Sequence, residues 1–276
     1  MEIKAVFAER FKSARLMNGF SLQDLADALD NILTRQALHR YEKGEVIPDA
    51  EKISKISKIL NVTPDYFFRT TKIELNDIEF RKLDKLPKKE ADMIQEKTKE
   101  YLNRYLELEE IIGLENKFAH PLKDYPEITS YEQVNRAAEI IREKWSIGKG
   151  PIYNIVELLE EKNIKIVKLD VSINFDGLQA FANGNIPVIA YNVRLANKPD
   201  RIRFTLLHEL AHMLLKFGEI TNKQKETLCH QFSGAMLLPE ETIKAELGAH
   251  RNKLSSLELA NIKKQYGISM QAIVMR

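Results

Sequence analysis

The chain has 276 residues, 44% of them hydrophobic and 30% charged, which suffices for packed cores and excludes wholesale disorder. Its 42 basic and 40 acidic residues leave a formal charge of +2, so any nucleic acid must be met by a local patch and not by a basic coat. The one cysteine, Cys229, excludes an internal disulfide framework and a four-thiolate metal site.

At about 150 residues per domain the length suits two domains. The charged N-terminus lacks the apolar core of a secretion signal, and no stretch approaches the roughly 18 apolar residues of a membrane span. A soluble, cytoplasmic protein without membrane contact is expected. Three regions are expected: a helical domain over residues 1–70, a helical linker over 71–128 and an α+β domain over 129–276.

In the first region Phe7, Phe11 and Ala14 share one helix face, and Gly19 ends that helix. Ser21 and Asp24 form a capping pair for a second helix, and Thr34 caps a third that Gly44 terminates. A fourth opens at Pro48-Asp49, and Thr63-Pro64 starts a short fifth carrying Tyr66, Phe67 and Phe68. On the third helix, Leu38 and Tyr41 lie on one side and Arg35, Gln36, His39, Arg40 and Lys43 on the other. Such donors suit a helix laid in a major groove, with Arg reading guanine, Gln reading adenine, and Arg40 and Lys43 at phosphates. A solvated charged face has the same spacing.

The middle region holds Ala91, Ile94, Thr98, Tyr101, Tyr105, Leu108 and Ile112 at alternating steps of three and four, on a helix of about 25 residues. The seam serves either a linker helix packed on its own domains or a dimer. Beyond Tyr131, helices run to Trp145 and over 152–161. Residues 164–169 alternate as a strand, and two further strands flank Asn183-Gly184-Asn185, a hairpin signal. Two strong helices follow, over 199–217 and 223–238. A last helical pair is expected to pack on this domain, and the end at Val274-Met-Arg276 reads as truncated.

The helix over 199–217 carries His208-Glu209-Leu-Ala-His212, and from Phe204 to Leu215 a narrow polar arc of Thr205, His208, Glu209 and His212 stands on an otherwise apolar stretch. Burying two imidazoles and a carboxylate without partners is costly. Histidines at i and i+4 can share one Zn²⁺, and the adjacent glutamate can take a proton from water. On the next helix Glu226, Cys229, His230 and Ser233 form one stripe, which offers Glu226 as a third ligand. Cys229, and Glu219 in the intervening loop, are alternatives.

Residues 8–68 resemble the Xre family of phage-repressor-like helix-turn-helix domains, in Ser21-Leu-Gln-Asp-Leu-Ala26 and Arg35-Gln-Ala-Leu-His-Arg-Tyr-Glu-Lys-Gly44. The resemblance implies a five-helix fold, Gln23 at phosphate, Arg35, Gln36 and His39 at bases, and an Arg15–Glu42 pair. Thr34 stands with these DNA-facing positions. The turn Asp30-Asn-Ile-Leu33 is about two residues longer than the common form and lacks its glycine, with Asp30 or Asn31 available for the left-handed position.

Residues from about 130 to 245 resemble the ImmA/IrrE metallopeptidases, in Ile186-Pro-Val-Ile-Ala-Tyr-Asn192, in Arg203-Phe-Thr-Leu-Leu-His-Glu-Leu-Ala-His212 and in the run from Glu226 to Pro239. That likeness implies a zincin-like domain with a small sheet, His208, His212 and Glu226 on zinc, and Glu209 as general base. His230 stands where the family often has Asn or Asp, either orienting the first histidine or facing the oxyanion. Tyr191 and Arg203 are further oxyanion candidates. Two functions follow. In one, a regulator binds operator DNA as a homodimer, and its peptidase cleaves a helix-turn-helix repressor, in trans or of its own kind. In the other, a repressor or antitoxin-like protein has a zinc domain that senses a ligand or docks a partner without hydrolysis.

Overall fold

The computed structural model describes residues 2–70, 73–76, 86–115, 117–171, 175–248, 250 and 253–276. Part of the expected 71–128 linker lies outside them. Two compact units form: residues 1–74 with 80–114, and 75–79 with 115–276.

The first unit comprises α1 (Ile3–Met17), α2 (Leu22–Ala28), α3 (Arg35–Glu42), α4 (Ala50–Ile59), a 3-10 helix at Pro64–Phe68 and α5 (Lys88–Ile111). Its fifth expected helix is therefore a single 3-10 stretch. Ser21 and Asp24 cap α2 reciprocally, and Thr34 caps α3 by accepting from the Ala37 N–H. In the long turn both Asp30 and Asn31 are left-handed, at φ 53° and 56°, so two short polar residues replace the absent glycine. The core is aromatic: Phe7 and Phe11 are fully buried and stack at 5.9 Å, and Phe67 lies 5.5 Å from Phe7, tilted by 48°. Arg15 Nε donates to Glu42 Oε1 at 2.6 Å, the expected internal pair.

The middle helix follows one of its two expected readings, packing on its own domain: α5 lies along α1 within the first unit. Arg10, 4% exposed, ties three elements together: its Nε donates to the Tyr66 carbonyl, Nη2 donates to Glu100 at 2.8 Å, and the guanidinium lies 3.7 Å over the Tyr66 ring. Burial pushes the Tyr66 phenol up to about 12. The buried residues of α5 are Ile94, Thr98, Leu102 and Glu109, so the buried line leaves the expected seam after Thr98. Tyr101, Leu108 and Ile112, counted in that seam, are exposed.

In the second unit a four-stranded sheet has the order β1-β3-β4-β2: β1 (Leu75–Asn76), β2 (Lys165–Leu169), β3 (Gly177–Ala182) and β4 (Ile186–Asn192). β3 and β4 form the expected antiparallel hairpin, with Asn183 and Gly184 at φ 51° and 76°; β2 runs parallel to β4. Around the sheet lie α6 (Tyr131–Lys144), α7 (Ile155–Glu161), α8 (Pro199–Leu214), α9 (Asn222–Leu237), α10 (Glu240–Leu247), α11 (Ser256–Tyr266) and α12 (Met270–Val274). α8 rests on β3 and β4 and packs against α9, which also packs on α6. Arg142 of α6 locks the far end of α9 by donating to the carbonyls of Met236, Gly148 and Gly150. The terminal pair joins this core through Ile262, Tyr266, Ile268 and Ile273, as its apolar pattern predicts.

Because α5 belongs to the first unit, Ile94→Ala should cost about 2–5 kcal/mol in urea unfolding, while Leu108→Ala, at a 61% exposed site, should cost under about 0.5 kcal/mol. Equal, near-zero effects would contradict the packing of α5. A second expectation concerns Asp24. The Lys89 ammonium, with the Ser21 backbone N–H and hydroxyl, lowers its carboxyl from 3.8 to about 2. A depressed carboxylate stabilises the fold above its free value and loses that contribution as pH falls through its folded one. The Tm difference between wild type and Asp24→Asn should therefore be full above pH 3.8 and gone near pH 2.

Candidate metal centre

Pro199 starts α8, and the apolar side chains Leu206, Leu207, Leu210 and Ala211 bury it on three sides. The polar arc is buried with it: His208 is 3% exposed, Glu209 5% and Thr205 6%. Thr221 and Gln224 cap α9 reciprocally and set the phase in which Glu226 meets the two histidines.

The contacts are mutual. His208 Nε2 and His212 Nε2 lie 3.1 Å apart, His208 Nε2 lies 3.3 Å from Glu226 Oε2, and His212 Nε2 lies 3.4 Å from Glu226 Oε1. Ligands held about 2.0–2.1 Å from a zinc-sized ion at tetrahedral angles stand about 3.3 Å from one another. Two imidazole nitrogens and a carboxylate thus present the donor chemistry and the mutual spacing of a three-ligand site. Among the described residues these three form the group that can hold a metal ion. Hydrogen bonds from the two imidazoles hold the Glu226 carboxyl far below the usual carboxylate range.

Cys229 and Glu219, the alternatives to Glu226, are not in that group. The Cys229 thiol lies 3.6 Å from His212 Nδ1, across the ring from the nitrogen that meets Glu226. It therefore sits behind the ligand. The ring of His230, an exposed side chain of α9, lies 4.7 Å from that of His208, tilted 37°, with Phe204 on its other side at 5.8 Å.

Two oxyanion candidates fare differently. Arg203 is corrected: its Nε donates to the Gly267 carbonyl, Nη1 to that of Tyr153, and Nη2 to those of Ile152 and Tyr266. These bonds staple α8 to the end of α11, so its guanidinium is spent on structure. Tyr191 is 6% exposed in the core, opposite Gly177 in the β3–β4 register.

Gly177 is a site residue that the sequence reading missed. A Cβ there would stand 2.8 Å from Thr205 Cγ2 and 3.3 Å from Glu209 Cγ, so only glycine lets β3 come this close to the polar arc. Its signal was a glycine at the head of a strand. Gly234 of α9 faces Arg276, whose Cδ would stand 3.2 Å from a Cβ there.

On the first unit, Gln23, Thr34, Arg35, Gln36, His39, Arg40 and Lys43 are all exposed. Gln23 donates to Asp27, and Arg40 pairs with Glu45 at 3.0 Å. Among the described residues no helix is long and apolar enough to cross a membrane.

Residues 11–67 match the Helix-turn-helix family model, and residues 159–276 match that of the IrrE N-terminal-like domain, a peptidase family. Over 66 residues the chain is 39% identical to a Bacillus subtilis (strain 168) protein described as an SPbeta prophage-derived uncharacterized HTH-type transcriptional regulator, YonR. That stretch is 24% of this chain and spans 59% of the relative's length. The chain thus carries a helix-turn-helix domain of the Xre kind followed by an IrrE/ImmA-like domain of a peptidase family.

Proposed function

We propose that this chain is a DNA-binding regulator whose second unit is a zinc-dependent endopeptidase, and that it cleaves a helix-turn-helix repressor, in trans or of its own kind, to relieve repression. The observation that carries the reading is the meeting of His208, His212 and Glu226 within hydrogen-bond range of one another, with Glu209 buried beside them. A scaffold needs the three ligands; it has no use for a buried carboxylate one residue beyond the first histidine.

In this reading His208, His212 and Glu226 hold the zinc. When bound, the ion polarises a carbonyl and makes water acidic near neutral pH. Glu209 takes the proton of the attacking water and passes it to the leaving amine. The amide C–N bond breaks, the water oxygen joins the carbonyl carbon, and the amine leaves protonated.

The first unit reads DNA through Arg35, Gln36 and His39 at base edges and through Gln23, Thr34, Arg40 and Lys43 at the backbone. The description of the B. subtilis relative as an HTH-type transcriptional regulator supports this role. Modules of this kind read paired half-sites, which favours a homodimer on the operator.

Zinc-loaded protein should cut a helix-turn-helix repressor or a second copy of its own chain, and a chelator should stop the reaction. Glu209→Gln should keep one zinc by elemental analysis and lose about 10²–10⁴-fold in rate. Glu226→Gln should lose the metal itself, by more than the roughly 10–100-fold that removal of an outer partner costs. Unchanged regulation by the Glu209→Gln variant would instead favour a non-proteolytic switch. For DNA, Arg35→Ala should cost about 1–3 kcal/mol and relax preference at one base pair, whereas Lys43→Ala should weaken all sequences alike and lower the salt slope by about 1.

A further inference from the structure

Both nitrogens of the His212 ring meet side chains of α9. Nε2 lies 3.4 Å from Glu226 Oε1, and Nδ1, on the opposite edge, lies 3.6 Å from the Cys229 sulfur. Glu226 and Cys229 are separated by about one helical turn, so a single face of α9 clasps the ring from both sides. The sulfur side of the clasp is buried: the His212 side chain is 6% exposed and Cys229 is fully covered. Ser233, equally covered, donates to the Cys229 carbonyl at 2.9 Å and ties the next turn of α9 to the one that carries the sulfur.

An imidazole that gives Nε2 to a metal ion is neutral and keeps its proton on Nδ1. Once buried, that N–H calls for an acceptor, and a metal-binding histidine deprived of its outer partner binds the ion less tightly. A cysteine can serve in either direction, since its sulfur accepts weakly and its S–H donates weakly. With the sulfur accepting from Nδ1–H, Nε2 turns a lone pair toward Glu226 and His208. With the thiol donating to Nδ1, the proton sits on Nε2 and closes that nitrogen to a metal. The direction of one hydrogen bond thus decides whether the ring can act as a ligand. A cysteine buried only as a small hydrophobe has no need of a ring nitrogen within reach.

We propose that Cys229 is a positioning residue of the metal centre: its sulfur accepts the Nδ1–H of His212, fixes the tautomer and rotation of the ring, and so sets metal affinity without touching the ion. The role rests on the zinc reading of His208, His212 and Glu226 and does not depend on hydrolysis.

The test is the zinc affinity of the full-length chain, measured by competition with a chromophoric chelator, in wild type, Cys229→Ala and Cys229→Ser. Alanine should weaken binding about 10–100-fold while one zinc still binds. Serine should recover part of that loss, because its oxygen accepts the same N–H from a shorter bond, although a buried hydroxyl packs no better than a methyl. A packing role leaves serine no better than alanine; that order overturns the proposal, as does equal affinity in all three chains. Should the alanine variant fail to fold, serine is read against wild type: weaker zinc binding with an unchanged metal-free Tm supports the proposal, and unchanged binding overturns it. Cobalt-loaded wild type should lack a thiolate-to-metal absorption band, whose presence would make the sulfur a ligand and overturn the proposal. Wild type that binds no zinc overturns the zinc reading and the proposal together. Zinc binding in the expected order without cleavage of a repressor leaves the proposal standing and removes the peptidase reading alone.

Discussion

The second unit depends on one costly arrangement: two imidazoles and a carboxylate carried into its core on a helix that is otherwise apolar. Removing such groups from water costs several kcal/mol unless other polar atoms or an ion take the place of the lost hydration. The fold supplies those partners by bringing a second helix alongside. Glu226 reaches both histidines because α8 and α9 pack together, and α9 is itself held at its far end by Arg142. On the other flank Gly177 keeps the strand low enough for Glu209 and Thr205 to fit. Packing and chemistry are here the same requirement.

Several polar residues near the centre act as struts. Arg203 spends its donors on four carbonyls, fixing the terminal helices to α8. Cys229 stands behind His212, and Ser233 donates to the Cys229 carbonyl within α9. Rigid support of this kind holds the mutual spacing of His208, His212 and Glu226.

The first unit is organised around Arg10 in the same manner, with one buried cation answering a carbonyl, a carboxylate and an aromatic face. This arrangement draws α5 onto α1. It leaves the exposed donors of α3 facing solvent, and it leaves the end of α5 apolar and acidic.

Local signals in the sequence were sufficient wherever they depend on neighbours along the chain. The caps at Ser21 and Thr34, the Asn183-Gly184 hairpin and the i, i+4 histidines follow from short-range hydrogen bonding and helical period, and all appear in the structure. The seam of α5 misled because a three-four alternation does not say which partner covers it; α1 took Ile94, Thr98 and Leu102 and left Leu108 bare. Arg203 misled for a related reason, since a long donor side chain on a histidine-bearing helix looks alike whether it awaits an oxyanion or already serves carbonyls fifty or more residues away. The approach of Gly177 to the polar arc and the packing of α5 on α1 were decided by tertiary structure alone. Each depends on distances between segments far apart in the chain, which residue types and their spacing do not encode.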